Sequence, residues 1–439
     1  MGMTVLVPGS AQVAAGSARL GRIAMRFALA GVVFALTLVA VGMLATPDLV
    51  ALFTKPWFLT ALRCGLIAYA LGWVYLIADS WRIADPLGLP QGQRLLLTGV
   101  NGVLCLGLSG GLLFASHIVA VQNDFISSVF GSHEVTAVRH GRYNVLLLGG
   151  DAGPGRDGIR PDSITVASID SETGRTVLFG LPRNLADVPF PAGSVMRDQF
   201  PTGFDCEGCY LNGVNTWGTD HAELFPDTET PGIAATADAV EEITGLSINY
   251  YVLIDLRGFR DLVDAIGGVD IKVGERIPIG GVGGPITGWI EPGRQHLDGY
   301  RTLWYARSRA TSDDYSRMAR QKCIMNAMLH QFDPRTVVAN FGAITKAGKQ
   351  VISSSIPASE LGNFVDLALS AKGLPVSTVS FVPPKINTSD PDWAKIRSIV
   401  AETLTSSEVK DGLDLRPSLP GRKHTNRNAN DSSDLNTAC

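Results

Sequence analysis

Residues 144–170 read NVLLLGGDAGPGRDGIRPDSITVASID. Two apolar runs with the length of buried strands flank a connection made of Gly, Pro, Asp and Arg. Reversing the chain needs only Gly, Pro and a single Asp. This connection carries two carboxylates, Asp151 and Asp162, and two guanidiniums, Arg156 and Arg160, at the ends of the strands. The surplus of charge of both signs points to a site rather than a turn.

Outward from this stretch, residues 140–405 alternate strand-like and helix-like segments. YNVLLLG (143–149) reads as a strand covered on both faces. DSITVASI and TVLFGLP are joined by the turn-rich DSETGR and read as an antiparallel pair. ETPGIAATADAVEEITGL is helical, with Pro231 in its first turn and Gly245 at its end. YYVLIDL is a strand, RGFRDLVDAIGG an amphipathic helix, and VDIKV a returning strand. From Leu297 the pattern is a short helix, a charged loop, and a longer helix starting near Asp313 or Asp314. The whole is expected to be one α/β domain, a mixed central sheet with helices on both faces.

Upstream, the composition changes. The chain has 439 residues, 46% of them hydrophobic, with a mean hydropathy of +0.17. Three apolar runs, 26–45, 58–78 and 95–121, are each long enough for a membrane helix, which takes about 20 residues. Three in succession argue against both a buried core helix and a cleaved leader. Arg19, Arg22 and Arg26 precede the first run, and Arg82 and Arg94 lie between the second and third. The positive-inside bias therefore predicts a cytoplasmic N-terminus (1–25), a three-span anchor (26–121), a linker (122–139) and an extracytoplasmic domain (140–405). That topology excludes chemistry needing ATP, GTP or the chromosome. The segment 411–439 is polar and is expected to be a disordered tail.

Cys206 and Cys209 form a C-x-x-C in the outer domain. No second C-x-x-C or His pair completes a zinc site, so a disulfide is favoured, either between the two or from one of them to Cys323.

Seven arginines cluster at expected strand and helix ends: Arg156, Arg160, Arg183, Arg307, Arg309, Arg317 and Arg320, with Asp313 and Asp314 among the later ones. Arg317, Arg320 and Gln321 are spaced i, i+3, i+4 and share a side of one helix near its start. Cations are unfavourable at that positive end, and an anion would offset them. Arginine suits bidentate contact with phosphate, and neighbouring carboxylates suit a hard divalent cation. Asp151 and Asp162 are candidate metal ligands, with Arg160 and Arg183 facing the same phosphate. The connection lacks the Gly-Lys-Ser/Thr ending of a P-loop and the G-x-G-x-x-G of a dinucleotide site. The outer domain has no G-x-S-x-G, and the chain has no H-E-x-x-H. What is left is phosphoryl transfer by positioning and electrostatics.

NVLLLGGDAG, RPDSITVASID, TVLFGLPRN, LNGVNTWG, YYVLIDLRGFRDLVDAIGGVDIKV and LDGYRTLWYARSRATSDDYSRMARQ occur in this order over roughly 143–332. Together they resemble the LytR-CpsA-Psr family, and the three preceding spans resemble the layout of its actinobacterial members. The resemblance implies an enzyme on the outer side of the cytoplasmic membrane. Such an enzyme transfers a phospho-glycan from a polyprenyl-pyrophosphate carrier to peptidoglycan, typically to a muramic acid C6 hydroxyl, with Mg2+ (or Mn2+) and no nucleic acid.

It further implies Asp151 and Asp162 as metal ligands. Arg160, Arg183, Arg307, Arg309, Arg317, Arg320 and Gln321 would hold the pyrophosphate, and Asp162, Arg183, Arg307, Arg309 and Asp314 would serve catalysis. Asp162 or Asp314 would take the acceptor's proton, and an apolar groove would receive the prenyl chain. Two departures stand out. Asn184 replaces the usual Asp after Pro-Arg and is given no catalytic role, and DYSR replaces D-F-G-R. A membrane-anchored glycan binder without turnover and a transcription regulator are the alternatives. Mg2+-dependent turnover separates the first from the enzyme, and a C-terminal reporter tests the second.

Overall fold

A computed structural model describes residues 10–44, 52–53, 55–130, 135–151, 160–281, 284–331, 352–371, 374–413, 430 and 434–435. The chain divides into two compact units, residues 1–128 with 358–366 and residues 129–357 with 367–439.

The first unit is built on three long helices, α1 (Ala18–Leu44), α2 (Pro56–Ile83) and α3 (Gln91–Val129). Each is long and apolar enough to cross a membrane. Leu29, Leu36, Leu71, Leu106 and Phe114 stand exposed on them, the arrangement expected where the surrounding solvent is lipid. Polar groups inside are tied locally, as where Ser109 Oγ donates to the Ala70 carbonyl at 3.3 Å. The third helix exceeds its expected span of 95–121. Its 39 residues make about 58 Å of helix at 1.5 Å per residue, roughly twice a hydrocarbon core. It continues into the expected linker because no Gly or Pro interrupts Leu112–Val129.

The second unit is organised by a six-stranded mixed sheet. Its strands are β1 (Arg142–Asp151), β2 (Arg160–Asp170), β3 (Thr176–Leu181), β4 (Tyr250–Asp255), β9 (Ile352–Ser354) and β10 (Ser377–Ser380). The order is β10-β3-β2-β1-β4-β9. β2 is antiparallel to both β1 and β3, while β4 runs parallel to β1 and β10 parallel to β3. The expected DSETGR hairpin is thus formed, and YNVLLLG lies near the centre of the sheet.

Alternation along the strands gives the sheet two unlike faces. One carries Leu146, Leu148, Ile164, Val166, Phe179 and Leu181 into the main core. This core is completed by helices α4 (Leu211–Asp220), α5 (Pro231–Thr244) and α9 (Trp393–Leu413). α5 starts with Pro231 and ends on Gly245 in the left-handed conformation (φ 72°), as its sequence signals. The other face presents Leu147, Ala167, Ile169 and Leu178 toward Met325 of α8 (Asp314–Gln331).

VDIKV does form a strand, β5 (Val269–Val273), but it stays out of the main sheet. It pairs with β8 (Gly293–Leu297) as a two-stranded ribbon. Val269, Ile271 and Val273 are buried while Asp270 and Lys272 are exposed, so it can be covered on one side only. With α6 (Leu256–Ala265), the hairpin β6 (Ile277–Gly280)–β7 (Ile286–Ile290), α7 (Gly299–Arg307) and α8, it encloses a second core around Val263, Leu297, Tyr305 and Ile324.

Cys206 and Cys209 are bonded to each other, so neither pairs with Cys323, which is disulfide-bonded in its own right. Of the segment 411–439, residues 411–413, 430 and 434–435 are described. α9 runs on to Leu413, and Asn430, Asp434 and Leu435 dock against the domain. Leu435 is fully buried, which no composition average over a polar tail would reveal.

Candidate active site

The site begins with an irregularity in the central strand pair. Gly149 pairs with Ser163 and Gly150 with Pro161, so Asp162 is left without a partner in the ladder. Such a bulge bends the strand and re-aims the extra side chain. Pro161, having no N–H, loses nothing by standing in it. Strict alternation would put Asp162 on the core side with Ile164. The bulge lets it border a cavity shared with Ser163, Thr165, Gly180 and Met318.

Arg183 follows β3 through Pro182 and joins the two acids. Its Nη1 donates to Asp162 Oδ1 at 2.6 Å and its Nε to Asp314 Oδ2 at 2.7 Å. Asp314 opens α8, where the positive helix end favours a carboxylate. Asp313 caps that helix by accepting from the Ser316 N–H at 2.7 Å, and these Ser316 hydrogen bonds hold its carboxyl below the usual range. Arg309 Nη1 lies 3.2 Å from Asp314 Oδ1. Arg317, buried, donates from Nη2 to the Asp162 carbonyl at 2.9 Å, and its Nη1 is 3.9 Å from both carboxylates. Three guanidiniums therefore meet two carboxylates. The anion that the arginines at this helix start call for is supplied by the protein itself.

The electrostatics follow from burial and pairing. Burial opposes the charge on Asp314, but the hydrogen bond from Arg183 and the charges of Arg317, Arg183 and Arg309 outweigh it and hold its carboxyl below the usual range. Burial likewise opposes the charge on Arg183, and Asp314 and Asp162 reverse the sign and raise its pKa. For Arg317 burial wins: its pKa is lowered despite Asp314 and Asp162, with Arg183 and Arg309 repelling it. Its Nε is buried without a partner among the described residues. The group is short of acceptors, a state that an incoming phosphate oxygen relieves.

The other expected residues divide. Arg160 stands at the exposed start of β2, its Nη2 3.5 Å from Asn212 Oδ1. Gln321 lines the cavity and donates weakly to the Ala306 carbonyl at 3.4 Å. Arg307 is exposed and lies over the Trp304 ring, 5.1 Å from its centroid. Arg320 is engaged elsewhere. It is buried, with Nε donating to the Tyr305 carbonyl at 2.8 Å, Nη2 to the Ser308 carbonyl and Nη1 to Ser312 Oγ. The unsatisfied carbonyls at the end of α7 draw it away from Arg317, although helical spacing puts both on one side. Arg156 lies outside the described residues, as does the side chain of Asp151, whose backbone pairs with Arg160.

Among the described residues no three His, Cys, Asp or Glu stand close enough to hold a metal ion. Asp162 is nevertheless 37% exposed, and its Oδ2 lies 3.9 Å from Arg317 Nη1. A partly exposed carboxylate oxygen is a hard ligand of the kind a Mg2+ ion takes, with other ligands from phosphate and water.

Two supports were not legible as such. Asn212 is buried in the first turn of α4, and its N–H donates to the Arg183 carbonyl at 3.0 Å while its side chain meets Arg160. The Cys206–Cys209 bond closes the loop just before this helix. Thr388, buried, accepts or donates at 2.8 Å with the Tyr315 hydroxyl and meets Asn184 Nδ2 at 3.5 Å. Asn184 thus braces the loop behind Arg183. The only advance signal for Asn212 was the LNGVNTWG motif, and Thr388 had none.

Beside Asp162 the described residues leave no groove wide enough for a prenyl chain. The cavity beside Asp162 measures about 40 Å3, room for a few waters and not for an isoprenoid.

The LytR_cpsA_psr family matches residues 120–390. A polyisoprenyl-teichoic acid–peptidoglycan teichoic acid transferase, TagU of Oceanobacillus iheyensis, is 26% identical over 265 residues, 58% of this chain and 72% of TagU. The probable cell wall biosynthesis protein LcpB of Corynebacterium glutamicum is 31% identical over 187 residues, 42% of this chain and 36% of LcpB. The crystal structure of Bacillus subtilis TagV superposes with a TM-score of 0.45 at 22% identity, covering 62% of this chain and 98% of TagV. With well over half of its 439 residues matched, the chain belongs to the LytR_cpsA_psr family.

Proposed function

We propose that this chain is a cell-wall glycopolymer transferase. It takes a phospho-glycan from a polyprenyl-pyrophosphate carrier and attaches it to peptidoglycan, at a muramic acid C6 hydroxyl. The observation that carries this reading is the convergence of Arg183, Arg309 and Arg317 on Asp162 and Asp314 beside a cavity at the sheet.

The acceptor oxygen attacks the phosphorus that bears the glycan. The bond from that phosphorus to the bridging oxygen breaks, and polyprenyl phosphate leaves with the electron pair. Arg183, Arg309 and Arg317 exchange carboxylate for phosphate oxygens and stabilise the charge that develops on the leaving group. The hydroxyl proton passes to Asp162, which is the more exposed acid and makes one short ion pair. Asp314, held by three arginines with its pKa lowered, is the weaker base and serves to orient Arg183 and Arg309. Mg2+, held by Asp151 and Asp162, would supply further positive charge against the diphosphate.

The apolar helices α1 to α3 anchor the enzyme, with the N-terminus inside and the catalytic unit outside the cytoplasmic membrane. A C-terminal reporter active only outside the cell agrees with this, and one active inside reverses it. The decisive experiment is transfer of a polyprenyl-pyrophosphate-linked glycan to peptidoglycan by the purified full-length protein, with and without Mg2+. Turnover that stops with Arg183→Ala supports the assignment. Binding without turnover in the wild type makes the protein a binder instead.

A further inference from the structure

Arg309 reaches Asp314 from residues 308–313, which join α7 to α8 and are neither helix nor strand. Ala310, Thr311 and Asp313 are exposed. A connection this open would leave Arg309 many orientations, and the 3.2 Å contact with Asp314 needs one.

Arg320 ties the connection down. Its side chain is only 7% exposed. Nε donates to the Tyr305 carbonyl at 2.8 Å and Nη2 to the Ser308 carbonyl, where the chain leaves α7. Nη1 donates to Ser312 Oγ at 3.1 Å, where the chain approaches α8. One planar group thus spans both ends of the connection. The Ser312 N–H closes it further by donating to the Arg309 carbonyl at 3.3 Å.

The β6–β7 hairpin holds the same residues. Ser308 Oγ, buried, donates to the Pro278 carbonyl at 2.9 Å. Gly281 passes so near Ala310 that a Cβ added to it would lie 2.7 Å from Ala310 Cβ.

Arg320 itself is turned away from the cavity beside Asp162, which α8 borders with Met318, Gln321, Lys322 and Met325. At about 100° per residue, Arg320 faces nearly opposite to Met318. All three of its nitrogens donate within the protein, so a phosphate could be met only by breaking buried hydrogen bonds.

We infer that Arg320 is a positioning residue: its guanidinium fixes the backbone from which Arg309 reaches the site, and it does not meet the pyrophosphate that the family resemblance assigns to it. The inference rests on the transferase reading above, in which Arg309 exchanges Asp314 for a phosphate oxygen. An arginine is needed because a lysine ammonium, a single point of charge, cannot span acceptors at both ends of the connection.

The test is a double-mutant cycle on transfer by the full-length protein in detergent, with Arg309→Ala, Arg320→Lys and the two combined. Arg320→Lys should lower kcat about tenfold and Arg309→Ala more. The double variant should match Arg309→Ala within about twofold, since a misplaced Arg309 and a missing one fail alike. Ser312→Ala removes one tie and keeps both arginines, so it stands in if Arg320→Lys does not fold. Its smaller loss should likewise vanish in the Arg309→Ala background. A direct contact of Arg320 with phosphate, or a general weakening of the fold, would add to the Arg309→Ala loss instead. Additive losses, or wild-type kcat in Arg320→Lys, overturn the inference and leave the transferase reading intact. A wild type that binds inorganic pyrophosphate without turnover overturns the transferase reading alone, and the same cycle read in pyrophosphate affinity then decides the role of Arg320. A wild type that neither transfers nor binds pyrophosphate overturns both.

Discussion

The two faces of the central sheet are built from the same strands and are put to different use. On one, Leu146, Leu148, Ile164, Val166, Phe179 and Leu181 are none more than 2% exposed and interlock with helices. On the other, the strands present Ser163, Thr165, Gly180, Thr378 and Ser380 to a narrow cavity under α8. Large branched and aromatic side chains make a filled core, which resists change. Small and hydroxylated ones leave space whose occupant can be exchanged. Stability and chemistry lie on opposite sides of one sheet, with Asp162 carried to the second side by a bulge.

This comparison can be broken by experiment. The largest effect is expected on the filled face, where Phe179→Ala should cost about 3–5 kcal/mol in chemical denaturation. On the open side, Arg183→Ala should reduce transfer at least a hundredfold, about 2.7 kcal/mol of transition-state stabilisation. The fold, followed by circular dichroism, should persist. Equal loss of stability in both variants would erase the division.

A smaller effect concerns pH, where the two sides carry acids shifted in opposite directions. Asp238 on α5 is pushed up to about 6, by burial first and the charge of Glu241 second. Its native form keeps a proton that the unfolded chain releases from about pH 4, so its contribution falls as pH rises through 6. Asp238→Asn should therefore raise the Tm at pH 7 and leave it unchanged near pH 3.5. Asp314, held below the usual 3.8, contributes stability above that value and loses it as the pH falls further. Asp314→Asn should lower the Tm at pH 7, with the difference closing in acid. Parallel pH profiles for the two variants would contradict the assignment.

The smallest effect is Gly180→Ala. Its new Cβ would lie 3.6 Å from Met318 Cε and 3.8 Å from Ser380 Oγ, ordinary contacts. Stability should move by less than about 1 kcal/mol in either direction. A drop as large as that of Phe179→Ala would mean that the open side is packed as tightly as the core.

What was legible in the sequence was local. The β2–β3 hairpin, the Pro231 start and Gly245 stop of α5, and the beginning of α8 at Asp314 are written in patterns a few residues long. What was not legible depends on distant partners. Arg183 and Asp314 are 131 residues apart, and only the fold brings them to 2.7 Å. Ser377–Ser380 is too short and polar to read as a strand, yet β3 recruits it as an edge. Arg320 shares a helix face with Arg317 by spacing and is claimed by the carbonyls of Tyr305 and Ser308. Leu435 is one apolar residue in a polar stretch, and what buries it is a slot formed by three other parts of the chain.

The bulge at Asp162 sets a limit on inherited change. The direction of this acid is fixed within the paired strands, at Gly149–Gly150 and Pro161–Ser163. A single residue removed from Pro161–Ser163 would shift the pairing and swing the carboxylate to the opposite side. Among descendants of this gene, the number of residues in that short stretch should stay constant.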